Sequence, residues 1–214
     1  SLIAFTLLTG ARDSAIASMK LKHVDVIGNS VFQDAREVNT KFSKTFTTYF
    51  FPVGDHIHQF IYDWVRYLKE ELLWGNDDPL FPKTNVIVGE DRCFKPEGLL
   101  RKHWSTASPI RTIFKDAFAA AGLPYFNPHS FRNTLVRLGQ TLCQSPEEFK
   151  AWSQNLGHED VMTTFYSYGE VQEHRQGEIF KQLKSPRVSG NQNAEEFARE
   201  VGKAMANQNA KIRI

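Results

Sequence analysis

The spacing of apolar residues changes character near residue 54, and that change limits the fold more than any other feature of the chain. Between Val24 and Val53, β-branched and aromatic residues fall in short runs. Val24 to Phe32 carries Gly28-Asn29 as a turn or bulge, and Glu37 to Thr40 and Thr45 to Val53 follow. Such residues suit a pleated surface, and short runs broken by turn residues predict a small antiparallel sheet. Beyond residue 54 the period is helical. Ile57, Ile61, Trp64, Val65 and Leu68 recur at helical steps, and so do Ile110, Ile113, Phe114, Ala117 and Phe118 ahead of Gly122. Gly75 to Pro82 is a turn-rich break. Residues 2–8 read as the end of an apolar helix stopped at Thr9-Gly10, Arg12 to Met19 as a short helix, and Ser130 to Leu142 as a longer one. At Ser145-Pro146-Glu147-Glu148, a capping Ser, a Pro at the first position and a Glu three residues after the cap mark a helix start. Another helix is expected near 159–167. The expected class is α+β, mostly α-helical, with the small sheet in the N-terminal third.

The 214 residues suit one large domain, or a domain and a tail, and a 41% apolar content is enough for a core. The net charge of +2 says little about partners, but its distribution says more. Residues 101–140 carry Arg101, Lys102, Arg111, Lys115, Arg132 and Arg137 against Asp116. Residues 145–180 carry Glu147, Glu148, Glu159, Asp160, Glu170, Glu173 and Glu178 against Lys150 and Arg175. A basic block beside an acidic one is compatible with a nucleic-acid face and a solvated face, and also with ordinary surface patchiness. Cys93 and Cys143 lie in unrelated contexts, with neither metal spacing nor a disulfide framework, which points to a reducing compartment. No apolar run approaches membrane-spanning length and no signal peptide is visible. The chain opens on Ser1 directly before an apolar run, as expected of a fragment excised from a longer protein. Residues 185–193 have linker composition. Residues 194–206 read as a short helix with a narrow stripe of Phe197, Val201, Ala204 and Met205, too short to stand alone.

Three short clusters carry chemistry. His129 and Arg132 are three apart on a helix, so both reach one phosphate, and a guanidinium binds phosphate oxygens bidentately. In Leu156-Gly157-His158, the glycine permits a tight turn that would leave His158 at a helix start, a place that favours anions. Thr9-Gly10-Ala11-Arg12 sets one arginine at a turn. Taken singly, each reads more simply as a surface pair or a capping loop. Jointly, with Tyr166 and Tyr168 downstream, they supply two guanidiniums, two imidazoles and a phenol. That set can cut a DNA backbone with a tyrosine and no metal. His56-x-His58 has ligand-like spacing but no third ligand, and His158-Glu159 lacks the second His of a zinc-protease helix; no metal site is expected.

In this order and at these spacings, the clusters resemble the tyrosine recombinase (phage integrase) family over roughly residues 1–180. Ser14 matches that family's R-x-S, Pro79-Leu80-Phe81-Pro82 a family loop, and Ala121-Gly122-Leu123-Pro124 the segment ahead of H-x-x-R. The resemblance implies the tyrosine recombinase catalytic fold over residues 1–184, a linker at 185–193 and a tail at 194–214 that docks on a neighbouring subunit or on its own domain. It implies Arg12, Lys44, His129, Arg132, His158 and Tyr168 as catalytic residues. Lys44 precedes Pro52 by the family spacing, with Lys41 the runner-up. Tyr168 fits the variant T-T-x-x-x-Y-G through Thr163, Thr164 and Gly169, which Tyr166 does not. Two departures stand out: Ala15 where the family usually has an acid, with Asp13 nearby, and Phe131 and Asn133 where it often has Leu and His.

The chemistry the resemblance implies is site-specific DNA breakage and rejoining, with no cofactor, metal or ATP. Tyr168 attacks phosphorus, His129 accepts its proton, and Lys44 protonates the leaving 5′-hydroxyl. Arg12, Arg132 and His158 offset the charge on the phosphoryl oxygens. The implied partners are double-stranded DNA and further copies of the chain in a synaptic tetramer, without a membrane. The implied setting is the cytoplasm of a bacterial or phage-infected cell, at the nucleoid. A separate N-terminal clamp is expected outside the fragment. A type IB topoisomerase and a non-catalytic DNA-binding relative are the rival readings.

Overall fold

A computed structural model describes residues 1–90, 92–158, 174, 176 and 177 of the chain. The chain divides into a unit of Ser1–Gly169 and a second of Glu170–Ile214. The expected helix near 159–167, both candidate tyrosines, the linker and the C-terminal helix lie outside the described residues.

Helix α1, Leu2–Thr9, is buried over most of its surface, with Phe5 and Leu8 fully enclosed. Its two threonines tolerate this because each hydroxyl donates to a carbonyl one turn back: Thr6 to Leu2 and Thr9 to Phe5. After α1 come α2 (Asp13–Ser18) and a three-stranded antiparallel sheet of β1 (Val24–Asp25), β2 (Ser30–Gln33) and β3 (Phe46–Tyr49). The expected run from Val24 to Phe32 is therefore two strands around a turn. Glu37 to Thr40 is not a strand. Asp34 folds that stretch into a turn: its carbonyl accepts from the Glu37 and Val38 amides, and its carboxylate from the Arg36 amide.

Helix α3 (Asp55–Arg66) presents Ile61 and Val65 to the core and continues into a π-helical turn, Tyr67–Glu71. A second hairpin follows, β4 (Lys83–Val88) and β5 (Phe94–Leu100), where the sequence predicts no strand. Most of it stands clear of the core, with Val88 61% and Phe94 79% exposed, and only Leu99 of the hairpin packs against the core. Helices α4 (Ser108–Ala120), α5 (Pro128–Leu142) and α6 (Pro146–Asn155) complete the described fold. The α+β, mainly helical class is as expected. No helix among the described residues is long and apolar enough to cross a membrane.

The main core joins α1, α2, the sheet, α3 and α4 through Phe5, Ile16, Val31, Ile61, Phe114 and their neighbours. A smaller one gathers Phe51, Leu135, Val136 and Leu156 where β3, α5 and α6 meet. The candidate site forms beside this smaller core.

Candidate active site

Arg12 is delivered by the end of α1. Gly10 takes a left-handed conformation, φ 58°, and returns its amide to the Thr6 carbonyl. The Thr9 hydroxyl accepts from the Ala11 amide, which tightens the turn. The space at Gly10 is closed as well: a Cβ there would lie 2.9 Å from Leu156 and 3.0 Å from Leu135. Chain reversal leaves Arg12 as the N-cap residue of α2. Its guanidinium is half-buried, which pushes its pKa down. Among the described residues, no hydrogen bond or ion pair engages it.

His129 and Arg132 come from the first turns of α5. That helix starts at Pro128, two residues ahead of the expected Ser130, because Asn127 caps it: its side chain accepts from the Ser130 amide at 3.0 Å. Arg132 is only 6% exposed. It donates to the Gly10 carbonyl at 2.8 Å and to the Leu156 carbonyl. One guanidinium thus ties the end of α1 to the end of α6, a span that its planar fork of donors suits and a lysine's single ammonium does not. Burial, and then the Arg12 charge, pushes Arg132 down to about 9. His129 is lowered too, by burial first and then by Arg132 and Arg12.

His158 follows from how α6 ends. The Gly157 amide donates to the Gln154 carbonyl and the His158 amide to the Ser153 carbonyl, the paired bonds of a Schellman ending. Gly157 has φ 73°, and a Cβ there would meet the Phe46 ring at 2.7 Å. Within the described residues His158 therefore belongs to the close of α6; the helix start expected after it lies outside them. Its pKa falls to about 4 through burial, then Arg132, Arg12, Lys44 and His129 in turn.

Lys44 lies in the loop between β2 and β3, as expected, and its charge reaches His158. Lys41 is close as well: its charge acts on His129, and its Nζ sits 4.8 Å over the Phe42 ring. Phe42 and Ser43 between them take left-handed φ values of 60° and 50°, which are strained for residues with a Cβ. Arg12, Lys44, His129, Arg132 and His158 thus come from four segments into one electrostatic cluster. Tyr168 lies outside the described residues.

A cleft of about 460 Å³ opens over part of the cluster, lined by Arg12, Asp13, Arg111, Asn127, His129 and Arg132 together with Gly10, Ala11 and Pro128; Lys44 and His158 do not line it. A second hollow of about 10 Å³ shares Ala11, Arg12 and Arg132 with it and is bounded also by Ala15, Gln33 and Thr40. The carboxylate of Asp13 does not engage Arg12; it takes Nε and Nη2 of Arg111, each at 2.8 Å. Phe131 fits through aromatic packing, with its ring edge-on to Phe114 at 5.3 Å and to Phe118 at 6.3 Å. Among the described residues, no three His, Cys, Asp or Glu side chains gather closely enough to hold a metal ion.

Asn155 and Arg111 did not stand out as site residues in the sequence. Asn155 mimics a strand: its side chain accepts from the Tyr49 amide at 2.7 Å and donates to the Tyr49 carbonyl at 2.8 Å. Its own carbonyl accepts from Thr48, which accepts in turn from buried Gln33. The sheet is thereby bonded to the residue just before Leu156-Gly157-His158. No local pattern announces that link. For Arg111, the signal available was its place in the basic block.

The sequence profile of the phage integrase family matches residues 1–175. The chain belongs to the phage integrase family, the tyrosine recombinases. Solved structures of the same fold include a XerA recombinase, at 19% identity and a TM-score of 0.55 over 85% of this chain and 55% of that one. They also include Tn1549 transposon integrase variants. One, in complex with a circular intermediate DNA, has 16% identity and a TM-score of 0.51 over 84% of this chain and 57% of that one. Another, in complex with transposon right end DNA, has 16% identity and a TM-score of 0.51 over 86% and 58%. The chain thus spans little more than half the length of these recombinases, and identities this low speak for the fold alone. No curated protein sequence matches it.

Proposed function

We propose that this integrase-family domain cuts and rejoins DNA at specific sites through a covalent 3′-phosphotyrosyl link. The observation that carries the reading is the cluster of Arg12, Arg132, His129, His158 and Lys44, in which burial first, and neighbouring positive charge second, lower the proton affinity of Arg132, His129 and His158. Such a cluster suits an anion, and perturbed groups of this kind concentrate at functional sites. A phosphodiester relieves the repulsion. Arg12 and Arg132 take its non-bridging oxygens, and neutral His158 donates a hydrogen bond to the same group.

Tyr168 is the nucleophile. Its phenol, with an ordinary pKa of about 10, must lose its proton as it attacks phosphorus. His129 accepts that proton, for which its lowered pKa keeps it unprotonated at neutral pH. Lys44 protonates the departing 5′-oxygen. The tyrosyl ester conserves the phosphodiester's energy, so a 5′-hydroxyl reverses the step without ATP.

The partners in this reading are duplex DNA and further copies of the chain in a synaptic tetramer, in the cytoplasm of a bacterial or phage-infected cell. Residues 1–184 form the catalytic domain, 185–193 a linker, and 194–214 a tail that docks on a neighbour through Phe197 and Val201. Deleting residues 189–214 tests the tail: unchanged synapsis would remove it from the proposal. The central test incubates the protein with a nicked suicide duplex carrying its attachment site, in chelator, and looks for a covalent protein–DNA complex. Tyr168→Phe abolishes the complex and Tyr166→Phe does not. A complex that survives the first substitution and vanishes with the second overturns the nucleophile.

A further inference from the structure

The cleft holds a third guanidinium that the reaction above leaves unused. Arg111 lies in the first turn of α4, an element that carries none of the proposed catalytic groups, yet it lines the same cleft as Arg12, His129 and Arg132. Its side chain is 61% exposed, and that of its partner Asp13 is 22% exposed. Both Arg111 contacts fall on a single oxygen, Asp13 Oδ2: Nε at 2.8 Å and Nη2 at 2.8 Å. A guanidinium has five N–H donors, so the Nη1 pair and one hydrogen of Nη2 stay uncommitted. Asp13 in turn directly follows Arg12 and opens α2, so the pair sets Arg111 at a fixed place beside the first catalytic arginine.

An exposed ion pair of this kind contributes little to stability. Its geometry suits another task. A guanidinium held on one edge and open on the other loses less freedom when it meets an anion than a loose side chain does. Arg132 has already committed donors to two backbone carbonyls. A DNA strand laid across the cleft brings a phosphate at every nucleotide, more charge than Arg12 and Arg132 offset at the scissile position.

We propose that Arg111 is a phosphate-binding residue, held by Asp13 to receive a backbone phosphate of the bound DNA strand beside the one that Arg12 and Arg132 take. This rests on the DNA-cutting reading, since it assumes that the cleft receives a DNA strand. Asp13 thereby serves Arg111.

The test is the salt dependence of binding to a mixed-sequence duplex, measured by fluorescence anisotropy over a range of salt concentrations for the whole chain. Each phosphate contact contributes about 0.9 to the slope of log K against log salt. Arg111→Gln lowers that slope by about 1, and Arg111→Lys, which keeps the charge, preserves it. Asp13→Asn keeps the slope while weakening binding severalfold at every salt concentration, because the guanidinium is no longer held. A wild-type slope in Arg111→Gln overturns the proposal, as does a lowered slope in Arg111→Lys, whichever of the two is the better folded. A wild-type protein that binds no duplex overturns the DNA-cutting reading itself, a separate result from wild-type binding with an indifferent Arg111.

Discussion

The two sides of the cleft are built differently. On the α5–α6 side, Arg132 is enclosed, bonded to the Gly10 and Leu156 carbonyls, and set over a small core of Phe51, Leu135, Val136 and Leu156. On the α2–α4 side, Arg12 is half-buried with no hydrogen-bond partner among the described residues, and Arg111 is mainly exposed. The same side-chain chemistry therefore does two jobs. Arg132 is part of the frame, so its place is decided before any ligand arrives. Arg12 and Arg111 rest on local turns and one ion pair, and their remaining donors are left for an anion.

Replacing Arg12 or Arg132 by glutamine gives the largest effects and separates the two jobs. Both substitutions lower covalent-complex formation by roughly 10²–10³-fold, the usual cost of losing a donor to a developing oxyanion. Only Arg132→Gln also costs stability, about 2–4 kcal/mol, because two buried carbonyls lose their donor. Arg12→Gln changes stability by less than about 0.5 kcal/mol, since it removes a half-desolvated charge that repels its neighbours. Urea unfolding beside the suicide-substrate assay checks both. Equal loss of stability in the two variants would erase the distinction between the sides.

That distinction also marks how far the sequence could be read. Features made by neighbouring residues were legible. Gly10 ends α1 in a left-handed turn, and Ser145 caps α6 by accepting from the Glu148 amide, both as expected. Asn127-Pro128 is a cap followed by a first-position proline, a local signal that places the start of α5 two residues ahead of Ser130. Features made by distant residues were not legible. Arg132 meets Gly10 across 122 residues and Asn155 meets Tyr49 across 106, and nothing near either residue encodes its partner. The hairpin of β4 and β5 escaped for another reason. Neither of its faces is buried, so selection for a core imposes no alternation on it. The residues proposed for the site were picked out through family resemblance. That Arg132 serves as a strut was not.

Effects of intermediate size fall on the frame side alone. Gly157→Ala puts a Cβ 2.7 Å from the Phe46 ring at a residue with φ 73°, so both strain and overlap act, at about 1–3 kcal/mol. His158 moves with that turn, and cleavage falls with stability. Asn155→Ala removes two bonds to the Tyr49 backbone and costs about 1–2 kcal/mol. Asn155→Asp keeps the acceptor but sets a carboxylate oxygen against the Tyr49 carbonyl, two acceptors face to face, so it is no more stable than the alanine variant. Thermal melting ranks the three. A fully stable Asn155→Ala would show that the link between the sheet and α6 carries no load.

The last effect is a pH dependence of stability, and its sign follows from the burial of His158 within a positive cluster. His158 titrates at an ordinary 6.5 when unfolded and at about 4 in the folded chain, lowered by burial first and then by Arg132, Arg12, Lys44 and His129. Between those values the unfolded chain holds a proton that the folded chain does not, so protons favour unfolding. The contribution is fully present above about 6.5 and is lost as the pH falls toward 4. His129, His23 and His103 are also lowered, and they add slopes of the same sign, so the difference between wild type and His158→Gln isolates this residue. The urea midpoint of the variant should fall less steeply over that interval, with the two curves parallel above pH 7. Saturating duplex tests the cause. A phosphate seated among the arginines raises the folded pKa of His158 toward its ordinary value, so the wild-type and variant curves converge in shape when DNA is bound. Curves that differ equally with and without duplex would show that burial alone lowers His158, and the positive cluster would lose its claim to be the anion site.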